Sequence, residues 1–284
     1  MFRAIGNGIK WIGDHFKGML FLLILVLVFT PSDEVQESAN LQEIKLIGAI
    51  MDSEAIIAEI NEAKDNSNIK GVLLNVNSPG GSVPPSIEIS YAIKELKKVK
   101  PVVAYASGIM ASGSYYASIY ATKIIANAGS IVGSIGVIMQ SANLQKLLDT
   151  IGIKPQTVKQ GLYKEAGTPT REWTAEERGE LEQLTLDTYN LFVSDVAEAR
   201  GLDINNSKSF ADAHIFSSKR ALKVGLIDKI GVKSDAKKEL LKLSKVDKPI
   251  WKKKDKFDTF MERFEGKAFT HIKGSFYGLK SEIF

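Results

Sequence analysis

The sequence predicts an α/β layered domain built on a largely parallel sheet. Short, mostly apolar runs at 44–50, 71–76, 101–106 and 123–127 have the length of strands and end in turn residues. Stretches with helical periodicity lie between them, and strands that alternate with helices imply parallel neighbours joined by crossovers. A chain of 284 residues, 44% hydrophobic and 25% charged, can hold one large domain or two small ones.

Each element has its own signal. Residues 18–32, GMLFLLILVLVFTPS, carry no charge. Fifteen helical residues rise only about 22 Å, short of a hydrocarbon core of roughly 30 Å. Lys17 can snorkel, and Trp11, Ile12 and Phe16 can extend the apolar contact. No small-x-small cleavage site follows, so an uncleaved signal anchor is favoured over a cleaved signal peptide and over a buried helix. Arg3, Lys10 and Lys17 lie within or beside the basic segment 1–17, which should stay cytoplasmic while the body is exported. Residues 33–43 read as a polar linker. A helix starts after Ser53, and another runs through 85–99 with Pro85 near its start and Lys97 and Lys98 near its end. A small-residue helix follows at 112–121. Thr174 and Glu177 form a capping-box signature before a long polar helix. Residues 217–231 read as a short helix stopped by Gly225, then a strand. The expected organisation is therefore a body at 44–232 and a basic, aromatic tail at 233–284. In that tail Phe257, Phe260, Met261 and Phe264 fall on one helical stripe.

Composition removes several chemistries. There are no cysteines, which excludes disulfides, thiolate metal sites and Cys nucleophiles. The three histidines, His15, His214 and His271, show no metal-ligand spacing, so neither a metal nor a cofactor is expected. The net charge of +4 is carried by the ends, about +2 in residues 1–17 and about +3 in 249–284, leaving a nearly neutral body. That distribution points to ends that meet a membrane rather than to nucleic-acid binding.

Small residues and hydroxyls concentrate in NSPGGS (77–82), MASGSYYAS (110–118) and GSIVGSIGVI (129–138). A plain turn needs one residue at positive φ, so the pair Gly80-Gly81 suggests a close approach to the backbone. Ser112 sits where strand and loop meet a helix start, beside donors suited to an oxyanion. Taken alone, Ala-Ser-Gly at a helix start is more often only an N-cap. The base is the harder question. His15 and His271 lie outside the body, and His214 has only Asp212 as a nearby orienting carboxylate. A Ser–Lys dyad is the alternative. Lys164, in KQGLYKEAGTP among glycines, tyrosine and alanine, is a candidate, although most lysines are solvated surface residues.

NSPGGS, MASGSYYAS, VGSIGVI, GLYKEAGTPTREWTAEER and ALKVGLIDKIG, in this order, resemble the signal peptide peptidase A family. The resemblance covers residues 44–232 in five separate blocks, at the length of the short, single-repeat form. It implies a Clp-protease/crotonase-like fold of layered ββα repeats with an N-terminal transmembrane helix. It also implies a membrane-anchored serine peptidase that cuts hydrophobic peptides such as residual signal peptides, assembled as a homo-oligomeric ring on the extracytoplasmic side of the inner membrane. Carried over residue by residue, Ser112 matches the nucleophile and Lys164 the general base. Ser134 matches the hydroxyl that orients the lysine. Gly80 and Gly81, with Gly113, match the oxyanion hole. Ser114 stands where the family has a second glycine and is a second candidate hydroxyl. Ala213-His214 stands where the family has Gly-Arg. The pocket rims are expected from Ile109, Ala111 and Ile135. Two other readings compete: an inactive membrane scaffold on the same fold, and an acyl-CoA hydratase-like enzyme, which would need a carboxylate pair and no anchor.

Overall fold

The computed structural model describes residues 11, 13, 15–23 and 38–253, which fall in two units. In the first, residues 15–23 are helical, and the His15 ring stacks on Trp11 with centroids 4.7 Å apart. Residues 24–32 of the expected anchor and the aromatic stripe at 257–264 lie outside the described residues. Among the described residues, no helix is long and apolar enough to cross a membrane.

The second unit, Ala39–Trp251, is the α/β domain. β1 (Leu41–Ile47), α1 (Glu54–Asp65), β2 (Gly71–Ser78), α2 (Val83–Lys97), β3 (Val102–Ala111), α3 (Gly113–Ser118) and β4 (Lys123–Ala126) alternate along the chain. β1, β2, β3 and β4 pair parallel in that order, and β7 (Lys229–Ile230) continues the sheet beyond β4. Parallel neighbours need a crossover, which is why a helix follows each of the first three strands. β5 (Ile131–Gly133) pairs with the far end of β3, and β6 (Ile215–Ser217) runs antiparallel to β5. Between them come α4 (Gln145–Thr150), the 26-residue α5 (Ala175–Arg200) and a 3-10 turn, Ile204–Ser209. α6 (Ser218–Lys223) and α7 (Lys233–Ser244) complete the unit.

Local chemistry accounts for most boundaries. α5 begins with the expected capping box: Thr174 accepts from the Glu177 amide at 3.2 Å, and Glu177 accepts from the Thr174 amide at 3.0 Å. It ends at Gly201 with φ 64, a left-handed C-cap. α2 takes its prolines in the first turn, where the missing N–H costs no helical bond. Ser53 is the N-cap of α1 in position only, because its hydroxyl donates to Glu88 instead of the helix amides.

β2 and most of β3 are buried on both faces, as their near-continuous apolar character requires. Val72, Leu74, Val76, Val102 and Ala104 join a large core under α1, α2, α3 and α5. Leu73, Val103, Tyr105 and Ile125 face the other way, onto Ala236 and Leu240 of α7.

Two boundaries differ from the sequence reading. β1 begins at Leu41, inside the stretch read as linker, because Leu41 and Gln42 are buried and the Asn40 and Leu41 amides donate to the Ile250 carbonyl at 2.9 and 3.2 Å. Residues 233–251 likewise belong to the compact unit instead of a separate tail. Lys233 also bonds Glu43 at 2.5 Å, and that carboxylate accepts from Asn75 at 2.9 Å. Leu240→Ala should therefore cost roughly 2–5 kcal/mol of stability, read as a lower urea midpoint at unchanged m-value. An unchanged midpoint would return α7 to the status of a tail.

Candidate active site

The end of β2 and the end of β3 are brought into backbone contact. β3 is irregular: its first half pairs with β4, its second half with β5, and its register with β2 shifts between Val76 and Ser78. Asn77 fixes the bend by accepting from the Ile109 amide at 3.0 Å. Ser114 ties the two strand ends together: its buried hydroxyl accepts from the Ala111 amide at 2.9 Å and donates to the Ser78 carbonyl at 2.6 Å. That engagement makes Ser114 a structural brace and withdraws it as a candidate nucleophile.

Ser112 follows the bend with φ 54 and ψ −128, and its amide donates to the Gly133 carbonyl at 2.8 Å. A non-glycine residue in so sparsely populated a region costs roughly 1–3 kcal/mol, and such strain concentrates at functional sites. The side chain is half-buried, and its hydroxyl makes no hydrogen bond with any described residue.

The glycines explain the shape around it. Gly80 has φ 93, and a Cβ there would lie 2.6 Å from the Gly113 amide nitrogen and 2.9 Å from the Ser112 Cβ. Gly81 bridges to Ile50: the Ile50 amide donates to Gly80 at 2.9 Å and the Ser82 amide to Ile50 at 2.8 Å. A Cβ on Gly81 would collide with the Ile50 carbonyl. The Ser82 amide is thus spent on Ile50 and the Gly80 amide on the Ser78 hydroxyl at 3.2 Å, while the Gly81 N–H has no described acceptor. The first amide of α3, Gly113, likewise has none, and the ideal Cβ position of Gly113 is 3.2 Å from the Gly81 nitrogen. Two N–H groups therefore sit together beside Ser112, the arrangement that binds a tetrahedral oxyanion.

Ser134 follows Gly133, whose carbonyl holds the Ser112 amide, so the two serines are close along the backbone ladder. It too has positive φ, 51, fixed by donation from its amide to the His214 carbonyl at 2.8 Å. His214 is exposed, with its ring edge-on to Phe216 at 5.9 Å. Ala213 stands at φ 54, and a Cβ on Gly136 would meet its Cβ at 2.7 Å.

A small cleft, open to solvent, starts at Ser112, Gly81 and Gly113. Its walls are Val83 and Ile87 of α2, Tyr116 of α3, Val137, and Leu191 and Phe192 of α5. These replace the rims expected from Ile109, Ala111 and Ile135; Ala111 and Ile135 are buried in the core instead. The α5 residues were missed because a long polar helix shows no pattern marking which turn reaches a cleft. Tyr116 is held by donation to the Asp195 carboxylate, and burial together with that carboxylate pushes its phenol up.

Lys164 is exposed, and it neither lines this cleft nor bonds to Ser112. Its turn is fixed elsewhere. Lys159 and Arg171 both pair with Glu165, at 2.9 and 3.0 Å, and Arg171 also pairs with the buried Glu177 at 2.7 Å. Lys159 first, then Arg171, holds the Glu165 carboxyl down at about 2; Arg171 does the same for Glu177. Glu177 precedes the cleft residue Thr188 by about three turns of α5, an axial rise of roughly 16 Å.

Comparison with known proteins identifies the family. The family model "Peptidase family S49" matches residues 94–247, and the model "Clp protease" matches 32–129. A Methanocaldococcus jannaschii chain named as a protease is 43% identical over 198 residues, 70% of this chain and 64% of that protein. A Synechocystis chain also named as a protease is 36% identical, covering 73% and 76%. An Enterococcus faecium chain named as signal peptide peptidase SppA is 35% identical, covering 67% and 56%. The alignments thus span between about half and three-quarters of these relatives. A Listeria monocytogenes ClpP1 structure aligns with TM-score 0.48 and 15% identity over 68% of this chain and 93% of its own. The match of the S49 model across β3, the Ser112 turn and the Lys164 segment places the chain in peptidase family S49, the family of signal peptide peptidase A.

Proposed function

We propose that the chain is a serine endopeptidase in which Ser112 attacks the scissile carbonyl and Lys164 takes the serine proton. The observation that carries this reading is the strained Ser112 at the mouth of an apolar cleft, beside the unspent amides of Gly81 and Gly113. The oxyanion of the tetrahedral intermediate would accept from those two N–H groups. Ser134 would orient the Lys164 amine. The amine would then return the proton to the leaving nitrogen, and water would release the acyl group by the same route in reverse.

The position of Lys164 supports a multi-subunit site. Its turn is clamped to the start of α5, while the cleft lies about three turns further along the same helix. In a homo-oligomeric ring the Lys164 of one subunit would meet the Ser112 of the next. The exposed apolar side chains of Ile138, Leu147, Ile151, Ile153 and Val158, on the same arm, suit that contact. The remaining elements of the reading rest on the sequence. Residues 18–32 would anchor the chain in the inner membrane, with the domain on the extracytoplasmic side. The substrates would be hydrophobic peptides, residual signal peptides among them.

Ser112→Ala and Lys164→Ala should each abolish cleavage of fluorogenic peptides and leave the fold intact, with the double variant no worse than either single one. Mixing the two inactive single variants under conditions that exchange subunits should restore part of the activity. No recovery from demonstrably mixed oligomers would place both groups of the dyad in one chain. Substantial turnover by Ser112→Ala would remove the nucleophile assignment. Failure of a fluorophosphonate probe to label the wild-type chain would favour the inactive scaffold.

Gly80→Ala would push a methyl group into the Ser112–Gly113 turn. It should lower kcat by about a hundredfold or more, the scale of losing an oxyanion donor, with a smaller change in KM. Wild-type kcat would show that the close approach is dispensable.

The apolar walls suit a small or medium aliphatic residue before the cleaved bond. A peptide-library screen should rank Ala and Leu above charged residues there. Preference for Lys or Arg would contradict the cleft as the specificity pocket.

A further inference from the structure

The arm that carries Lys164 has almost no core of its own. From residue 138 to 164 every side chain but that of Leu148 is exposed. Apolar burial therefore cannot set the position of the turn. Local backbone bonds only shape it: the Ala166 amide donates to Tyr163 at 3.0 Å and the Thr168 amide to Glu165 at 2.9 Å. What joins it to the folded domain is polar. The Trp173 indole donates to the Thr168 carbonyl at 2.8 Å, and the Leu144 amide to the Pro169 carbonyl at 2.8 Å. The centre of these links is one guanidinium. Arg171 donates from Nη1 and Nη2 to the two Glu177 oxygens at 2.8 and 2.7 Å, from Nη2 to Glu165 at 3.0 Å, and from Nη1 to the Glu172 carbonyl at 2.9 Å. Glu165 is the residue after Lys164. Glu177 is 1% exposed and closes the capping box of α5.

We infer that Arg171 is a positioning residue, which fixes the Lys164 turn against the first turn of α5 by holding Glu165 and Glu177 together. The inference rests on the reading of Lys164 as the general base. The fork geometry is what the task requires. Two carboxylates must be held at set directions from one rigid plane, and an ammonium cannot present two parallel donors to Glu177 while reaching Glu165. Lys159 bonds Glu165 at 2.9 Å but stands 3.7 Å from Glu177, so it reinforces one arm without replacing the fork. Both carboxyls are held far below neutral pH by these partners, so the clamp stays ionised wherever a peptidase would be assayed. Nothing in the network lines the cleft. Loosening it should displace the base and leave peptide binding alone, and a displacement of about 1 Å costs about a hundredfold in rate.

The test uses the whole chain and a fluorogenic peptide. Arg171→Gln should lower kcat about ten- to a hundredfold with KM within about twofold. Arg171→Lys should fall between Gln and wild type. Hydrogen exchange of the amides at 159–168 should speed up in both, with the amides of β3 unchanged. Because Arg171→Gln leaves a buried carboxylate unpaired and could unfold α5, Glu165→Gln is the second variant. It keeps the Arg171–Glu177 pair and the cap, and should show the same exchange signature and a smaller loss of kcat at an unchanged melting temperature. Wild-type kcat in Arg171→Gln beside an inactive Lys164→Ala would overturn the clamp alone. Wild-type turnover by Lys164→Ala would remove the base assignment and the inference with it. Unchanged exchange at 159–168 in either Arg171 variant would show that other contacts fix the turn.

Discussion

The domain is organised by one close approach of backbone to backbone, where the end of β2 meets the end of β3. At Gly80 a Cβ would lie 2.6 Å from the Gly113 nitrogen, and at Gly81 it would strike the Ile50 carbonyl. Two strands that each ended in an ordinary turn would not come this near. The approach holds Ser112 at φ 54, a strain of roughly 1–3 kcal/mol that must be offset by the bonds around it. Those bonds are identifiable. Gly133 receives the Ser112 amide at 2.8 Å, and Ser114 bridges Ala111 and Ser78 from within the core. Each is a buried polar contact whose loss would leave an unsatisfied group, so the turn is held from several sides at once.

That constraint reaches the rest of the sheet. Because β3 must turn toward Ser112, its far half leaves β4 and takes a new partner, β5. β5 then needs its own edge covered, which β6 supplies by antiparallel pairing. The same ladder sets the conformation of Ser134 through the His214 carbonyl. The divergence of β4 and β5 from one strand is thus a consequence of aiming one serine outward.

How much of this was legible in the sequence depends on the range of the interaction. Thr174 and Glu177 cap α5 through neighbours three residues apart, and the pattern was readable as such. Strand and helix alternation was readable because burial on both faces leaves apolar runs. The glycine pair announced a close approach but not its partners, Ile50 and Gly113, which come from distant parts of the chain. Leu41 went unread as strand because its burial depends on Trp251 and α7, some two hundred residues away. Leu191 and Phe192 were hidden for the same reason, and Ile109, Ala111 and Ile135 were named as rims because they neighbour the motifs in sequence, which says little about which side chain faces a cleft. Ser112 and Ser114 were separable only by geometry: the hydroxyl of one is bonded on two sides, that of the other on none.

α5 joins these two scales. Its 26 residues span about 39 Å, and the two ends do different work. Near its C-terminal end Phe192 packs on Tyr116 with ring centroids 4.6 Å apart, and Asp195 takes the Tyr116 hydroxyl, so this part is fastened to the helix that follows Ser112. At its N-terminal end the buried Glu177 carboxylate is fastened through Arg171 to the turn of Lys164. A helix is stiff over this length, so the two fastenings cannot close on each other by bending. Along α5 the attachment of the Lys164 turn and the attachment beside Ser112 are therefore set apart by the length of the helix between Glu177 and Phe192. On the proposed Ser112–Lys164 reading, a second copy of the chain would have to bring the two sides together, and the spacing along α5 would bear on how the copies meet. The chemistry would then be absent from the isolated chain by construction.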